Sequence, residues 1–248
     1  MISTRVALGE SDIELRWRPV EGQSIDQKAL ETAARDSLAR LRSRLEGAIA
    51  GNPAIKTALE PLENFPEEAS APLGAMLIAS RASGTGPMAA VAGAIAEALD
   101  RELMARFPIG ELVVENGGDI WFKADSPLRV RLDAGLSSLS GKLALVLPPG
   151  SWGCACSSAR VGPSLSFGNA DAAVVVHRDA AIADALATAL GNRIKRDEDL
   201  ETAVNDLWQS QLREEGLSGV LAIKGPRLAA AGNIRLEPLA PKGHFDAH

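Results

Sequence analysis

Asp184 and Thr188 lie four residues apart in the run Ala183-Asp184-Ala185-Leu186-Ala187-Thr188-Ala189, which is otherwise apolar. On a helix that spacing puts a carboxylate and a hydroxyl on one face. Both are hard oxygen donors. Magnesium accepts such donors and usually keeps waters or phosphate oxygens for the rest of its shell. A surface or capping pair would show the same spacing, but so apolar a run argues against free surface decoration. A second group is Val-Glu-Asn-Gly-Gly-Asp-Ile, residues 114–120. Asn116 offers an amide to a base edge, and Gly117 and Gly118 let backbone approach a ligand closely. Asp119 is as suited to holding the turn as to touching a ligand. A plain hairpin needs the same two glycines. A third group is Gly84-Thr85-Gly86, followed by Pro87 and an Ala-rich segment. A helix N-terminus behind a glycine loop suits a phosphate, and a turn before a packed helix explains it equally well.

Cys154 and Cys156 are the two cysteines. Alternate strand residues share a face, yet extended backbone does not let them close a disulfide. They read as small buried or half-buried residues, with a redox pair as the minor alternative. Two ligands and three histidines, two of those near the C-terminus, do not make a zinc site.

The elements that must position these groups follow from periodicity. The 248 residues are 46% hydrophobic and 23% charged, with mean hydropathy near zero, as in an ordinary globular protein. Four Trp, five Phe and no Tyr leave much of the packing to Ala and Gly. Net charge is −6 with no basic stripe, which argues against nucleic acid as a partner. No window approaches the roughly 20 apolar residues of a membrane span. The first residues carry neither an apolar leader nor a lipidation cysteine, so a cytoplasmic location is expected. Residues 13–17 alternate as a strand. A helix is expected from a capping box at Ser24 and Gln27, with apolar positions from Leu30 to Ile49 and a stop at Gly51 and Pro53. Glu31 with Arg35 and Asp36 with Arg40 are expected ion pairs on its wet face. Further helices are expected over 69–79, 88–105, 180–194 and 197–214. Strands are expected over 112–115, 120–123, 128–132, 142–147 and 172–177, a site-lining strand or loop over 153–158, and a closing hairpin over 220–223 and 228–236. Hairpins among grouped helices point to α+β with antiparallel sheet.

Together, the 86–97 segment, the 114–120 hairpin and the 183–189 run resemble the core of the flavin transferase superfamily typified by ApbE, and more closely a soluble branch of it. The resemblance spans about residues 45 to 236. It implies antiparallel sheets with packed helices, of the T-fold type, in one domain over residues 1–240 with a tail over 241–248. It implies FAD and Mg2+ as cofactors, and attachment of FMN to a protein hydroxyl or hydrolysis of FAD as the reaction. Asp184 and Thr188 then match the motif that holds the metal, with the Val91 carbonyl as a further ligand. Gly86, Gly93, Asn116, Gly117, Gly118 and Asp119 match the nucleotide-binding segments, and Ser157 and Ser158 become phosphate or ribose contacts. Asp171 stands either near the metal or at a strand start. Two positions differ. Ala92 stands where the family has a lysine, and Pro163 where it has a histidine, so a cation and a proton-transfer group are missing. No catalytic residue is assigned. The expected protein binds a flavin nucleotide and transfers it poorly. Expected partners are a small-molecule nucleotide and an acceptor protein, with a homodimer left open. The alternatives are a non-catalytic binding or interaction module on the same scaffold, or an enzyme of another small metabolite.

Overall fold

The computed structural model describes residues 1–63, 69–158 and 168–239. Pro163 and the tail over 241–248 lie outside the described residues. Strands β1 (Ile2–Leu8), β2 (Ser11–Pro19), β3 (Ile109–Asn116), β4 (Asp119–Ala124), β7 (Gly150–Ser157), β8 (Ala172–His177), β9 (Leu217–Lys224) and β10 (Arg227–Gly232) form one antiparallel sheet in the order β1-β2-β3-β4-β7-β8-β9-β10. A second sheet, in the order β11-β6-β5, joins β5 (Leu128–Arg131), β6 (Leu143–Leu147) and β11 (Arg235–Pro238). The helices are α1 (Gln27–Gly51), α2 (Ala54–Thr57), α3 (Leu73–Ser83), α4 (Val91–Met104), α5 (Ala180–Arg193) and α6 (Asp199–Trp208). This is the α+β architecture expected, in three layers.

Strand alternation sorts the side chains between layers. Ile13, Leu15 and Trp17 of β2 are fully buried against Leu30, Ala34 and Leu38 of α1 and Leu99 and Leu103 of α4. Farther along the sheet, Val175 and Val220 pack on α5 and α6 through Leu186, Leu190 and Val204. The opposite face of the large sheet carries Phe122, Cys154, Val174 and Leu221, covered by Leu145 and Leu147 of the small sheet.

Several expected boundaries shift. β1 was not expected, because Ser3, Thr4 and Arg5 dilute its alternation; it pairs residue by residue with β2. Asp26, not Ser24, caps α1, its side chain accepting from the Lys28 and Ala29 amides. Glu31 takes the Thr4 hydroxyl and, along its own helix, the Gln27 amide, with Arg35 acting on it only through its charge, while Arg40 pairs with Glu102 of α4. The helix expected over 69–79 is α3, beginning at Leu73. The 88–105 helix begins as a 3-10 turn over Pro87–Ala90, and the 197–214 helix ends at Trp208 before another over Gln211–Arg213. The last expected strand divides at Gly232, where φ is +79°, and its two halves join different sheets.

Close approach at the start of α5 requires two glycines. A Cβ on Gly93 would lie 2.1 Å from the Ala180 carbonyl oxygen, and one on Gly153 would lie 2.5 Å from the Ala180 Cα. Both obstacles are backbone and cannot swing aside. Gly93→Ala is therefore expected to destabilise by about 1–3 kcal/mol through overpacking. Gly47→Ala, inside α1 with nothing within 4 Å of the new methyl, should instead stabilise by about 0.5–1 kcal/mol. Urea denaturation of the two variants checks both signs.

Candidate functional site

Helix α4 has no side-chain cap of its own, because its N-cap residue is Ala90. Its first amides would be orphans if nothing else reached them. Asp184 of α5 reaches them: the Gly93 amide donates to Asp184 Oδ2 at 3.0 Å, and the Ala92 amide also supports that carboxylate. The exchange is reciprocal. The amide of Ala180, the first residue of α5, donates to Glu97 Oε2 of α4 at 2.9 Å. Each acid sits four residues after the amide its own helix offers: Gly93 with Glu97, and Ala180 with Asp184. Asp179 adds the conventional cap of α5 by accepting from the Ile182 amide at 2.9 Å, and Arg101 pairs with Glu97.

The 116–119 hairpin closes on this crossing. Gly117 and Gly118 have φ of +65° and +104°, as a two-residue hairpin turn requires. Asn116 Nδ2 donates to the Ala92 carbonyl at 3.1 Å, and Asp119 Oδ1 accepts from the Cys156 amide at 3.3 Å. Burial pushes the Asp184 carboxyl up to about 7, against the lowering effect of the Gly93 and Ala92 amides. Asp119 is held well above the usual carboxylate range, first by burial and then by the charge of Asp184 beside it. Two half-buried carboxylates thus lie close enough to feel each other's charge, each with its own backbone donors: Gly93 and Ala92 for Asp184, Cys156 for Asp119.

The expected residues divide by location. Asp184, Gly93, Asn116 and Asp119 come together. Thr188 is half-buried one turn beyond Asp184, and Val91 opens α4 two residues before Gly93. Gly86 packs elsewhere: its Cβ would meet the Ala58 carbonyl oxygen at 1.8 Å. Asp171 accepts from the Gly225 amide at 2.6 Å at the β9–β10 turn.

On the other face of the large sheet lies a cavity of about 450 Å³. Gly117, Gly118 and Ser158 line it, with Glu115, Ile120 and Cys156. Ser157 is not among the lining residues; it pairs with Ala173 of β8. Because side chains alternate, Asn116 and Asp119 face the helices while Glu115 and Ile120 face the cavity, and the turn joins the two sides. Burial pushes the Cys156 thiol up to about 12 and the Cys154 thiol higher, so both remain protonated and weakly nucleophilic. Sequence reasoning missed the wall formed by β5. The alternation Leu128, Val130 against Arg129, Arg131 was its signal. Glu97, at the end of the 86–97 segment, was given no role there.

Among the described residues no three His, Cys, Asp or Glu side chains cluster as a metal site. The neighbouring carboxylates of Asp119 and Asp184 nonetheless suit a hard cation that retains waters. Their raised carboxyls fit too, since an added positive charge would relieve both.

A family model described as AbpE bacteria matches residues 3–225. The UPF0280 protein of Methanocella arvoryzae is 41% identical over 213 residues, covering 85% of this chain and 83% of that protein. The UPF0280 protein of Methanocaldococcus jannaschii is 32% identical over 234 residues, covering 93% and 90%. Among solved structures, the apo flavinyl transferase ApbE of Pseudomonas stutzeri superposes with a TM-score of 0.54 at 12% identity, covering 93% of each chain. The ApbE protein of Thermotoga maritima gives 0.51 at 15% identity, covering 92% and 96%. At such identities the likeness is one of fold: ApbE-like, α+β.

A raised carboxyl favours the protonated native state. The Asp184 contribution to stability is therefore greatest below its ordinary value of 3.8 and is lost as pH rises through about 7. Asp184→Asn, which retains an acceptor for the Gly93 amide, should flatten that dependence. Without divalent cations it should melt above the native protein at pH 8 and near it at pH 4. Thermal unfolding across pH checks this, and parallel melting curves would contradict it.

Proposed function

The chain belongs to the AbpE bacteria family, and on that premise we propose that it binds a flavin nucleotide, FAD, together with magnesium. The observation that carries the proposal is Asp184 on the N-terminus of α4 with Asp119 close enough to feel its charge, beside the Gly117–Gly118 turn that also lines the cavity. Asp184 and Asp119 would hold the metal, with Thr188 and the Val91 carbonyl as further oxygen donors. When bound, magnesium neutralises the pyrophosphate and stabilises a phosphate leaving group. The amides of Ala92 and Gly93 fix the Asp184 carboxylate. Asn116, tied to the Ala92 carbonyl, fixes the hairpin. Gly117 and Gly118 let the nucleotide approach the turn without side-chain interference, and Ser158 contributes a hydroxyl at the cavity wall. Gly86 and Ser157 belong to the same segments at greater remove. Residues 1–240 act as one ApbE-like unit in this proposal, working in the cytoplasm.

Transfer of FMN to an acceptor protein, or hydrolysis of FAD, would be slow. Ala92 places no cation at the head of α4, where the flavin transferase pattern has a lysine that would help to hold a phosphate. The same observation favours the second proposal, a non-catalytic nucleotide-binding module on this scaffold.

Calorimetric titration of magnesium in the presence of FAD tests the site. Asp184→Ala is expected to weaken magnesium binding at least about 10–100-fold, the loss typical even of outer-shell metal partners. Equal heats for native and variant protein would contradict the assignment. Incubation with FAD, magnesium and a flavin-acceptor protein should yield slow labelling or none, and rapid stoichiometric labelling would overturn the role given to Ala92.

A further inference from the structure

In an antiparallel ladder the N–H and C=O of one residue point to the same side, and successive residues alternate. The Leu132 amide donates to the Leu143 carbonyl at 2.9 Å, and the Leu132 carbonyl accepts from the Gly141 amide at 2.8 Å. Leu132 therefore turns its backbone toward the β6 side. Val130 does the same, and the peptide groups of Arg129 and Arg131 point the other way. Among the described residues no strand pairs on that side, because β5 is the outermost strand of the β11-β6-β5 sheet. Every residue from Leu128 to Asp133 lines the cavity, while none from β6 does. The free backbone edge of β5 thus borders the cavity, and the large sheet floors it with Val113, Ile120 and Val174.

Among the described residues no aromatic side chain lines the cavity. A flat ring held there has aliphatic surface above and below and must be recognised at its rim. The volume lies within the range of about 300–1,000 Å³ common for small-molecule pockets. We propose that the exposed peptide groups of Arg129 and Arg131 read the hydrogen-bonding edge of a planar heterocycle, the amide of Arg131 donating to a ring carbonyl and a neighbouring peptide carbonyl accepting from a ring N–H. The assignment rests on the flavin proposal above, since the pyrimidine rim of a flavin presents a carbonyl beside an N–H. It makes the backbone of β5, and not the Arg131 guanidinium, the specificity element.

A proline at position 131 tests this, because an edge strand tolerates proline where its N–H faces away from the ladder. Arg131→Pro deletes the donor along with the side chain, and Arg131→Ala deletes the side chain alone. Binding of FAD and of N3-methyl FAD, with magnesium present, is measured by flavin fluorescence. Native protein and Arg131→Ala should bind FAD alike, and both should bind N3-methyl FAD about tenfold more weakly, the order of one hydrogen bond left unmade. Arg131→Pro should bind FAD about tenfold more weakly than Arg131→Ala. Equal binding of both flavins to native protein would overturn the edge assignment and leave the flavin proposal standing. Equal loss in Arg131→Ala and Arg131→Pro would assign recognition to the side chain instead. No binding of FAD by native protein would overturn the flavin proposal, and the edge assignment with it.

Discussion

Two helix N-termini, each held by an acid from the other helix, are the constraint on which the rest of this fold depends. Glu97 reaches from α4 to the first amide of α5, and Asp184 reaches from α5 to the Gly93 amide of α4. The exchange works only if the backbones nearly touch, which is why Gly93 faces the Ala180 carbonyl and Gly153 supports it from the sheet. Helix termini have orphan donors and a partial positive charge, so each anion gains at the site it occupies. Burial opposes that gain. For Glu97 desolvation is the largest influence on its carboxyl and raises it, despite the nearby Arg101.

The crossing alone would explain a structural Asp184. Asp119 changes the balance. Placing a second carboxylate beside a buried one raises the cost of ionising either, and a purely structural cap would gain nothing from it. The pair is consistent with a place for a cation, beside the Gly117–Gly118 turn that also lines the cavity. Strand alternation makes this possible: one hairpin sends Asn116 and Asp119 toward the helices and Glu115 and Ile120 toward the cavity. A ligand following the turn from one face of the sheet to the other would meet charge on the first side and apolar surface on the second.

Much of this was legible in the residues. The apolar run from Ala172 to Val176 forms, with His177, the strand expected, and Asn116-Gly117-Gly118-Asp119 forms the tight hairpin its glycines demand. Boundaries failed where a tertiary partner decided them. Asp26 won the α1 cap over Ser24 by reaching two amides, and Arg40 chose Glu102 across a helix interface over Asp36 along its own helix. β1 was hidden because an edge strand can carry polar residues on both faces and still pair. At the site, spacing put Asp184 and Thr188 on one face, but no local pattern says that Asp184 meets residue 93 or that Asp119 lies beside it. Those contacts span sequence separations of 91 and more than 60 residues and exist only after the sheet has formed. The cavity was invisible for the same reason, since its walls come from two different sheets.

The central claim is that the Asp119 and Asp184 pair receives a divalent cation while the adjoining cavity receives the ring of the same ligand. A crystal structure of the protein with FAD and manganese, the metal located by its anomalous scattering, tests both halves together. The account predicts a metal peak within coordination distance of both carboxylates and the isoalloxazine ring against the Gly117–Gly118 turn and the edge of β5. A metal peak elsewhere, or a flavin lying away from the hairpin with the two carboxylates still protonated against each other, would contradict it.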